Sequence, residues 1–228
     1  MSPAAGPPPV LLSWSSGKDS AWALHEMRRG PEAAVVGLMT TVTREFGRAS
    51  MHGVSIEILD CQAERAGLPR IDVEIPADCS NEEYERAFSN AARNAAAEGI
   101  GSIAFGDLFL EDVRSYRERL LAPTGILPRF PLWGRNTLNL AHEMIDGGLR
   151  AIVVCIDSAR LPASFAGREY DREFLLDLPA GVDPCGENGE FHTCVTAGPM
   201  FSAPVPVVAR TNVTRGGFVY ADLVLAGA

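Results

Sequence analysis

Residues 10–20 constrain the fold of this chain more than any other stretch. The apolar run at residues 10–12 predicts a buried strand, and residues 21–29 predict a helix that ends before Gly30. Small and polar residues, among them Ser15 and Ser20, separate the two elements, and Lys18 adds a positive charge. Because a strand that turns into a helix aims free backbone N–H groups at one point, this stretch predicts an anion-binding site, above all for phosphate.

The two most familiar phosphate-binding loops do not match this stretch. A P-loop requires glycine at position 12 and serine or threonine at position 19, where this chain has Leu12 and Asp19. A dinucleotide-binding loop requires three spaced glycines, of which only Gly17 is present. The stretch instead resembles the S-G-G-x-D-S loop of the N-type ATP pyrophosphatases, the PP-loop enzymes, which cleave ATP between its α and β phosphates. On this resemblance, the candidate nucleotide-binding residues of the loop are Ser15, Ser16, Gly17, Lys18, Asp19 and Ser20.

Ser16 stands where the PP-loop pattern has its first glycine. A serine with a positive φ costs roughly 1 kcal/mol relative to glycine. The sequence therefore leaves two alternatives at this position: a negative φ, or a strain that the fold tolerates.

The composition limits the class of protein. Of the 228 residues, 46% are hydrophobic, which is enough for a substantial core, and no apolar run approaches the ~20 residues of a membrane span. The formal net charge of −9 argues against binding to nucleic acid, since an electrostatic grip on phosphates requires clustered Lys and Arg. Five cysteines without a C-x-x-C motif indicate a reducing cytoplasm rather than a disulfide scaffold.

Predicted strands and helices alternate from residue 10 to residue 156, which is typical of a doubly wound parallel sheet, a Rossmann-like α/β fold. We therefore predict a disordered tail at residues 1–9, a nucleotide-binding PP-loop domain at residues 10–156 and a smaller α+β lobe on the substrate side at residues 157–228. In that lobe, residues 204–213 and 218–225 predict two strands, joined by a hairpin turn at residues 215–217. We expect the active site between the two lobes, because the carboxyl ends of the parallel strands face that way.

A second polar stretch, residues 185–193, carries two carboxylates, an amide and a histidine among glycines. Together with Gly106-Asp107 at the end of a predicted strand, P-L-W at residues 131–133 and G-P-M-F at residues 198–201, it resembles the diphthine–ammonia ligase family of ATP pyrophosphatases. That family shares a G-E-x-G-E segment, here residues 186–190, and the similarity extends in the same order over roughly residues 10–201.

The resemblance implies an ATP-dependent amidation, in which a carboxylate attacks the α-phosphorus of ATP, pyrophosphate leaves, and ammonia then displaces AMP. Lys18 would stabilise charge on the leaving pyrophosphate. Asp19 would hold Mg²⁺, which binds few carboxylates and relies on phosphate oxygens. Glu187 and Glu190 would orient ammonium and take its proton.

Two residues outside the loop are assigned to the same site. His52, in a loop after the second predicted strand, would approach the adenosine, and Asp107 would act as a second acid toward metal or substrate. Arg117 is interpreted as part of a solvated helix face, with a phosphate contact as the alternative. His192 is left open between a functional and a structural role.

Several points stay open at the level of sequence. The acceptor is either diphthine on a translation elongation factor or a different carboxylate, free or on a protein. A tRNA-modifying PP-loop enzyme of the thiolase type is one alternative, and the acidic charge and the missing C-x-x-C motif count against it; a nucleotide-binding module without catalysis is another. Cys185 and Cys194 are interpreted as inert buried thiols, with a persulfide-carrying pair as the alternative. A homodimer is likewise left open.

Overall fold

The strand–turn–helix stretch lies at the centre of a parallel sheet in the computed structural model, which describes residues 7–45, 47–49 and 53–227. The strands of this sheet are β1 (Pro9–Ser13), β2 (Ala34–Thr43), β3 (Arg48–Ala49), β4 (Arg70–Ile75), β5 (Ser102–Ala104) and β6 (Leu127–Arg129). β1 pairs in parallel with β2 on one side and with β5 on the other. β4 adds in parallel to β2, β6 adds in parallel to β5, and the short β3 pairs antiparallel with β2. The chain therefore switches direction across the sheet between β1 and β5, which is where open α/β sheets bind ligands.

Helices cover both faces of this sheet, as the alternating sequence pattern predicts. The α-helices of the described residues are α1 (Lys18–Arg29), α2 (Ile56–Ala66), α3 (Asn81–Ala97), α4 (Glu111–Leu121), α5 (Thr137–Asp146) and α6 (Arg172–Asp177). Leu12 packs in the core that includes α1 and α2, whereas its neighbour Leu11 packs in a second core with α3 and α4. Successive side chains of a strand point to opposite faces, so a buried β1 requires helices on both sides. The doubly wound α/β fold is confirmed. None of the described helices is long and apolar enough to cross a membrane.

A second, antiparallel sheet follows, and it corrects one prediction. It contains β7 (Arg150–Asp157), β8 (Phe191–Ala197), β10 (Val213–Arg215) and β11 (Phe218–Tyr220), in the order β10-β11-β7-β8. The sequence pattern assigns residues 151–156 to the parallel sheet, but β7 pairs antiparallel with β8 and with β11. A continuous apolar run suits any strand that is buried on both faces, so the run predicts the strand without identifying its partners.

The end of the chain also differs in detail from the prediction. Each of the two long predicted strands is broken in two, so that β9 (Val207–Ala209) precedes β10, and β12 (Leu223–Leu225) follows β11 and pairs with β9. The predicted hairpin is confirmed, because β10 and β11 pair antiparallel around Gly216 and Gly217, whose φ values are 58° and 84°. Two successive positive φ values match the turn that favours glycine between paired strands.

Local signals set the helix starts. The predicted capping box at α3 is present: Ser80 Oγ accepts a hydrogen bond from the Glu83 N–H, and Glu83 accepts one from the Ser80 N–H. α1 begins at Lys18, three residues before its predicted start, and Gly30 follows it with a φ of −94°, outside the left-handed region.

At the amino terminus, Pro9 already belongs to β1 and the Pro8 carbonyl accepts from the Ala34 N–H, while residues 1–6 of the predicted tail lie outside the described residues. The boundary between lobes at residue 156 stays a prediction.

Candidate active site

A cavity of about 240 Å³ lies where the β1–α1 loop (residues 14–17) and the end of β5 meet the second half of the chain. From the first half, its wall includes Ser15, Lys18, Asp19, Ser20, Asp107 and Arg117. From the second half, it includes Cys185, Gly186, Glu187, Phe191, His192 and Thr193. The structure thus brings together the two polar stretches that the sequence marks as functional.

Serine hydroxyls close the β1–α1 loop on itself. Ser15 Oγ accepts a hydrogen bond from the Gly17 N–H at 3.3 Å, and Ser20 Oγ donates to the Gly17 carbonyl at 2.9 Å. The two hydroxyl oxygens lie 3.3 Å apart on the cavity wall. Since the first N–H groups of a helix have no partner within the helix, this end of α1 can receive an anion together with the two hydroxyls.

Ser16 has a φ of 72°, which decides between the two alternatives that the sequence left open. No other non-glycine residue in the described part of the chain has a positive φ. Its side chain is completely buried, and its Oγ has no hydrogen-bond partner among the described residues. The fold therefore tolerates strain at the position where the PP-loop pattern has glycine.

Lys18 is buried at the first position of α1, and its ammonium group is held on several sides. Nζ donates to Asp19 Oδ2 at 2.9 Å and to the Cys185 carbonyl, and it lies 5.2 Å from the ring centre of Phe191. Burial alone would lower the pKa of Lys18, but the Asp19 carboxylate and further negative groups outweigh burial and hold it above its ordinary value. Lys18 is therefore a fixed positive charge in the cavity wall.

Asp19 offers one unused oxygen at the same place. While Oδ2 accepts from Lys18, Oδ1 is buried and has no hydrogen-bond partner among the described residues. Burial raises the pKa of Asp19, and the charge of Lys18 opposes that rise. A hard cation suits such an oxygen, and a cation that also binds phosphates needs few protein ligands. Among the described residues, no cluster of three or more potential metal-binding side chains is found.

The end of β5 packs tightly against the start of α1. A Cβ on Gly106 would lie 2.8 Å from the carbonyl carbon of Asp19 and 2.9 Å from the Ser20 nitrogen, so only glycine fits there. The next residue, Asp107, lines the cavity and is bound at both carboxylate oxygens by Arg117, at 2.6 Å from Nε and 3.2 Å from Nη2. The helical pattern predicted a solvated face for Arg117, and this prediction is wrong. Arg117 forms part of the cavity wall and lies over the ring of Phe105.

Glu187 is the carboxylate that the second half of the chain presents to the cavity. Its Oε1 accepts from the Leu108 N–H at 2.7 Å, which ties the 185–190 loop to the residues that follow β5. Burial raises the pKa of Glu187 from 4.5 to about 7; the Leu108 N–H opposes this rise, and the negative charges of Asp19 and Asp107 add to it. A carboxyl group with a pKa near neutrality suits a general acid or base.

Glu190 takes a different position from Glu187. Its side chain is buried inside the 185–190 loop, where it accepts from the Asp183 N–H at 3.1 Å and from the Asn188 N–H at 3.0 Å. The Asn188 side-chain amide donates to it as well. Glu190 is not among the residues that line the cavity, and its carboxylate shapes the loop that presents Glu187. The catalytic role predicted for Glu190 stays a prediction.

Two histidines complete the predicted set. His192 lines the cavity, and burial, with a smaller contribution from the Lys18 charge, lowers its pKa from 6.5 to about 4, so its imidazole is neutral at pH 7. His52 lies outside the described residues.

Sequence reasoning missed two contacts that hold the site together. Thr193 Oγ1 accepts from the Lys18 N–H at 3.1 Å, and the ring of Tyr170 lies 5.5 Å from Lys18 Nζ. Thr193 follows the polar stretch directly, but no local pattern links residues that lie 175 positions apart in the chain.

The parallel sheet has an anion-binding strand–loop–helix turn at its switch point, and the loop before β8 adds the Glu187 carboxylate to the same cavity. These features define a Rossmann-like α/β protein with a polar ligand cavity. Comparison with known families gives a narrower assignment. The family model of the diphthamide synthase N-terminal domain matches residues 9–128, and that of the diphthamide synthase C-terminal domain matches residues 136–220. The chain belongs to the diphthamide synthase family.

Curated relatives carry one name. The proteins named diphthine–ammonia ligase from Bos taurus and Homo sapiens are 24% and 23% identical to this chain over 230 residues, covering 92% of the chain and 86% of each relative. The protein of that name from Mus musculus is 26% identical over 150 residues, which cover 64% of the chain and 56% of the relative.

Proposed function

We propose that this chain is an ATP-dependent ligase that joins a carboxylate and ammonia into an amide and releases AMP and pyrophosphate. One observation carries the proposal: a single cavity has Lys18 and the hydroxyls of Ser15 and Ser20 on one wall and Glu187 on the other. The names of the relatives, which pair diphthine with ammonia, support the same chemistry.

In the first step, a carboxylate oxygen of the acceptor attacks the α-phosphorus of ATP, and the bond to the β-phosphate oxygen breaks. The products are an acyl-adenylate and pyrophosphate. The Lys18 ammonium group and the N–H groups of α1 that follow Lys18 stabilise the charge that develops on pyrophosphate, and the Ser15 hydroxyl donates a hydrogen bond to it.

In the second step, ammonia attacks the acyl carbon and AMP leaves. Ammonium must first lose a proton, and Glu187 accepts it, since its pKa of about 7 leaves a large ionised fraction at neutral pH. The neutral His192 and the Asp107–Arg117 pair complete the wall around the reacting groups.

Asp19 is the residue that would hold Mg²⁺, through its unpartnered Oδ1. Bound there, the ion supplies positive charge to the phosphate oxygens. Asp19 also orients Lys18 through the 2.9 Å ion pair.

The state of the cysteines disfavours the thiolase alternative. Burial raises the pKa of Cys185 to about 12 and that of Cys194 to about 12, so neither thiol ionises at neutral pH. Persulfide transfer requires a thiolate nucleophile. For the acceptor we propose diphthine, the substrate in the relatives' names, with a different carboxylate in the same role as the alternative. We also propose that the reaction takes place in the cytoplasm, where five cysteines without a C-x-x-C motif stay reduced.

The proposal is tested by incubating the purified protein with α-labelled ATP, Mg²⁺, ammonium and cell extract, and by separating AMP from ADP. We expect AMP and pyrophosphate in equal amounts, and we expect both to disappear in the Asp19→Ala variant. Formation of ADP, or no turnover of ATP by the wild type, would refute the ligase proposal.

A further inference from the structure

We propose that Gln62 is a positioning residue for the β1–α1 loop: its carboxamide fixes the left-handed backbone at Ser16 and so sets the direction of the N–H groups that bind phosphate. The inference rests on the proposed function in one respect, since it takes ATP as the ligand of this loop.

The side chain of Gln62 is completely buried on α2 and every polar atom on it is used. Nε2 donates to the Val195 carbonyl at 2.8 Å and to the Ser16 carbonyl at 3.3 Å. Oε1 accepts from the indole N–H of Trp14 at 2.9 Å. Because an indole only donates and a carbonyl only accepts, these partners permit one orientation of the carboxamide.

Gln62 therefore joins three parts of the chain that meet at the loop. Trp14 and Ser16 belong to the loop itself, and Val195 lies in β8 of the second sheet. The Val195 N–H also donates to the Ser16 carbonyl, at 2.9 Å, so that one carbonyl oxygen accepts two hydrogen bonds.

The position of that carbonyl has a direct consequence for the loop. A peptide unit is planar and trans, so its carbonyl oxygen and its N–H point in opposite directions. With the Ser16 carbonyl held toward Gln62 and Val195, the Gly17 N–H must point the other way, toward Ser15 Oγ at 3.3 Å, on the cavity side. Ser16 holds this direction together with its strained φ of 72°.

Gln62 does not line the cavity, so it acts on a ligand only through Ser16. Loss of the carboxamide removes one of the two bonds that oppose the strain, and the loop then has freedom to rotate the peptide between Ser16 and Gly17. A loop that must be reordered on binding loses affinity, because the ordering cost is subtracted from the binding free energy.

The experiment measures ATP binding by calorimetry, without acceptor, in a double-mutant cycle of Gln62→Met and Ser16→Gly. Glycine adopts a positive φ without strain, so Ser16→Gly removes the need for the bond from Gln62. We expect Gln62→Met to weaken ATP binding about tenfold when Ser16 is present and less than about threefold when it is combined with Ser16→Gly. Thr124→Val is the control, because its hydroxyl is also buried but bonds only to Leu121 and Ile126, in the turn after α4.

The outcomes separate this inference from the proposed function. Equal ATP affinity of Gln62→Met and wild type, or the same loss with and without Ser16→Gly, would overturn the positioning role. A loss of affinity in Thr124→Val of the same size would also overturn it, because general destabilisation would then suffice. If the wild-type protein binds ATP but forms no AMP, the proposed function is refuted, and the double-mutant cycle still tests the positioning role. If the wild-type protein binds no ATP, both proposals are refuted.

Discussion

Ser16 combines a left-handed backbone with a buried hydroxyl that has no partner among the described residues. Both features cost free energy in the folded state, and glycine would avoid both. We expect Ser16→Gly to raise the free energy of unfolding by about 1 kcal/mol, as measured by urea denaturation. The relief of strain exceeds the extra backbone entropy that glycine brings to the unfolded chain.

The matched control for Ser16→Gly is Ser89→Gly. Ser89 is also a buried serine, but it lies inside α3, where its φ is helical. There glycine brings only its entropic cost, and the free energy of unfolding should fall by about 0.5–1 kcal/mol. If both substitutions lower the stability, the backbone at Ser16 is not strained.

Glu187 determines the pH dependence of the proposed second step. As the group that takes the proton from ammonium, it must be ionised, so kcat should rise with pH through the pKa of about 7. Glu187→Gln should lower kcat by about 10²- to 10⁴-fold and abolish that rise, since the amide keeps the hydrogen bond from the Leu108 N–H but has no basic oxygen. Steady-state AMP formation as a function of pH provides the measurement.

Glu190→Gln is the comparison for Glu187→Gln, because the two carboxylates lie three residues apart in one loop. Glu190 accepts N–H groups on both oxygens, and an amide would place its own N–H₂ against one of these donors. We expect a loss of about 1–3 kcal/mol in unfolding free energy and a kcat that follows the wild-type pH profile. A stable Glu190→Gln variant that has lost the pH-dependent rise would instead assign the base to Glu190.

Among the elements, the junction between β5 and α1 leaves no room for a side chain at Gly106. The Cβ of Gly106→Ala would meet backbone atoms of Asp19 and Ser20 at 2.8 and 2.9 Å, and a backbone cannot move aside as a flexible side chain can. We expect this variant to lose about 1–3 kcal/mol of stability and to bind ATP at least about tenfold more weakly. Gly101→Ala, just before β5, is the control, because nothing lies within 4 Å of its added Cβ. Similar effects of both substitutions, seen by calorimetry and urea denaturation, would refute the close approach.

The elements that sequence reasoning predicts are those with local causes. The capping box at Ser80 and Glu83, the paired glycines of the β10–β11 hairpin and the small residues after β1 each act within a few positions of the chain. The partners of β7 depend on which strands arrive beside it, and no residue of β7 encodes that choice. The same limit applies to the site: the loop pattern identifies Lys18, but contacts such as that of Lys18 with Thr193 require the folded chain.

At the scale of the molecule, the second sheet covers the β1–α1 loop and buries groups that water would otherwise solvate. Glu187 and His192 show this burial with opposite consequences for stability. The pKa of His192 is about 4 in the folded chain, against an ordinary value of 6.5. Between pH 6.5 and about 4, the unfolded chain therefore binds more protons than the folded chain, and the free energy of unfolding falls as the pH decreases. The pKa of Glu187 rises from 4.5 to about 7, so the folded chain binds more protons there and stability rises as pH decreases.

These opposing contributions should separate in single variants. The His192→Gln variant lacks the histidine contribution, so it should gain stability relative to wild type as the pH falls from 6.5 to about 4. Glu187→Gln lacks the carboxyl contribution, so it should lose stability relative to wild type as the pH falls from about 7 to 4.5. Urea denaturation across this range measures both, and parallel profiles for the two variants would mean that the cavity does not bury these groups.

The proposed function couples cleavage of ATP to formation of an amide. The most direct test supplies ¹⁵N-labelled ammonium with ATP, Mg²⁺ and cell extract, and counts AMP by chromatography and incorporated ¹⁵N by mass spectrometry. We expect one ¹⁵N amide for each AMP, with both products lost in Glu187→Gln. AMP that accumulates without incorporated ¹⁵N would contradict the proposed function.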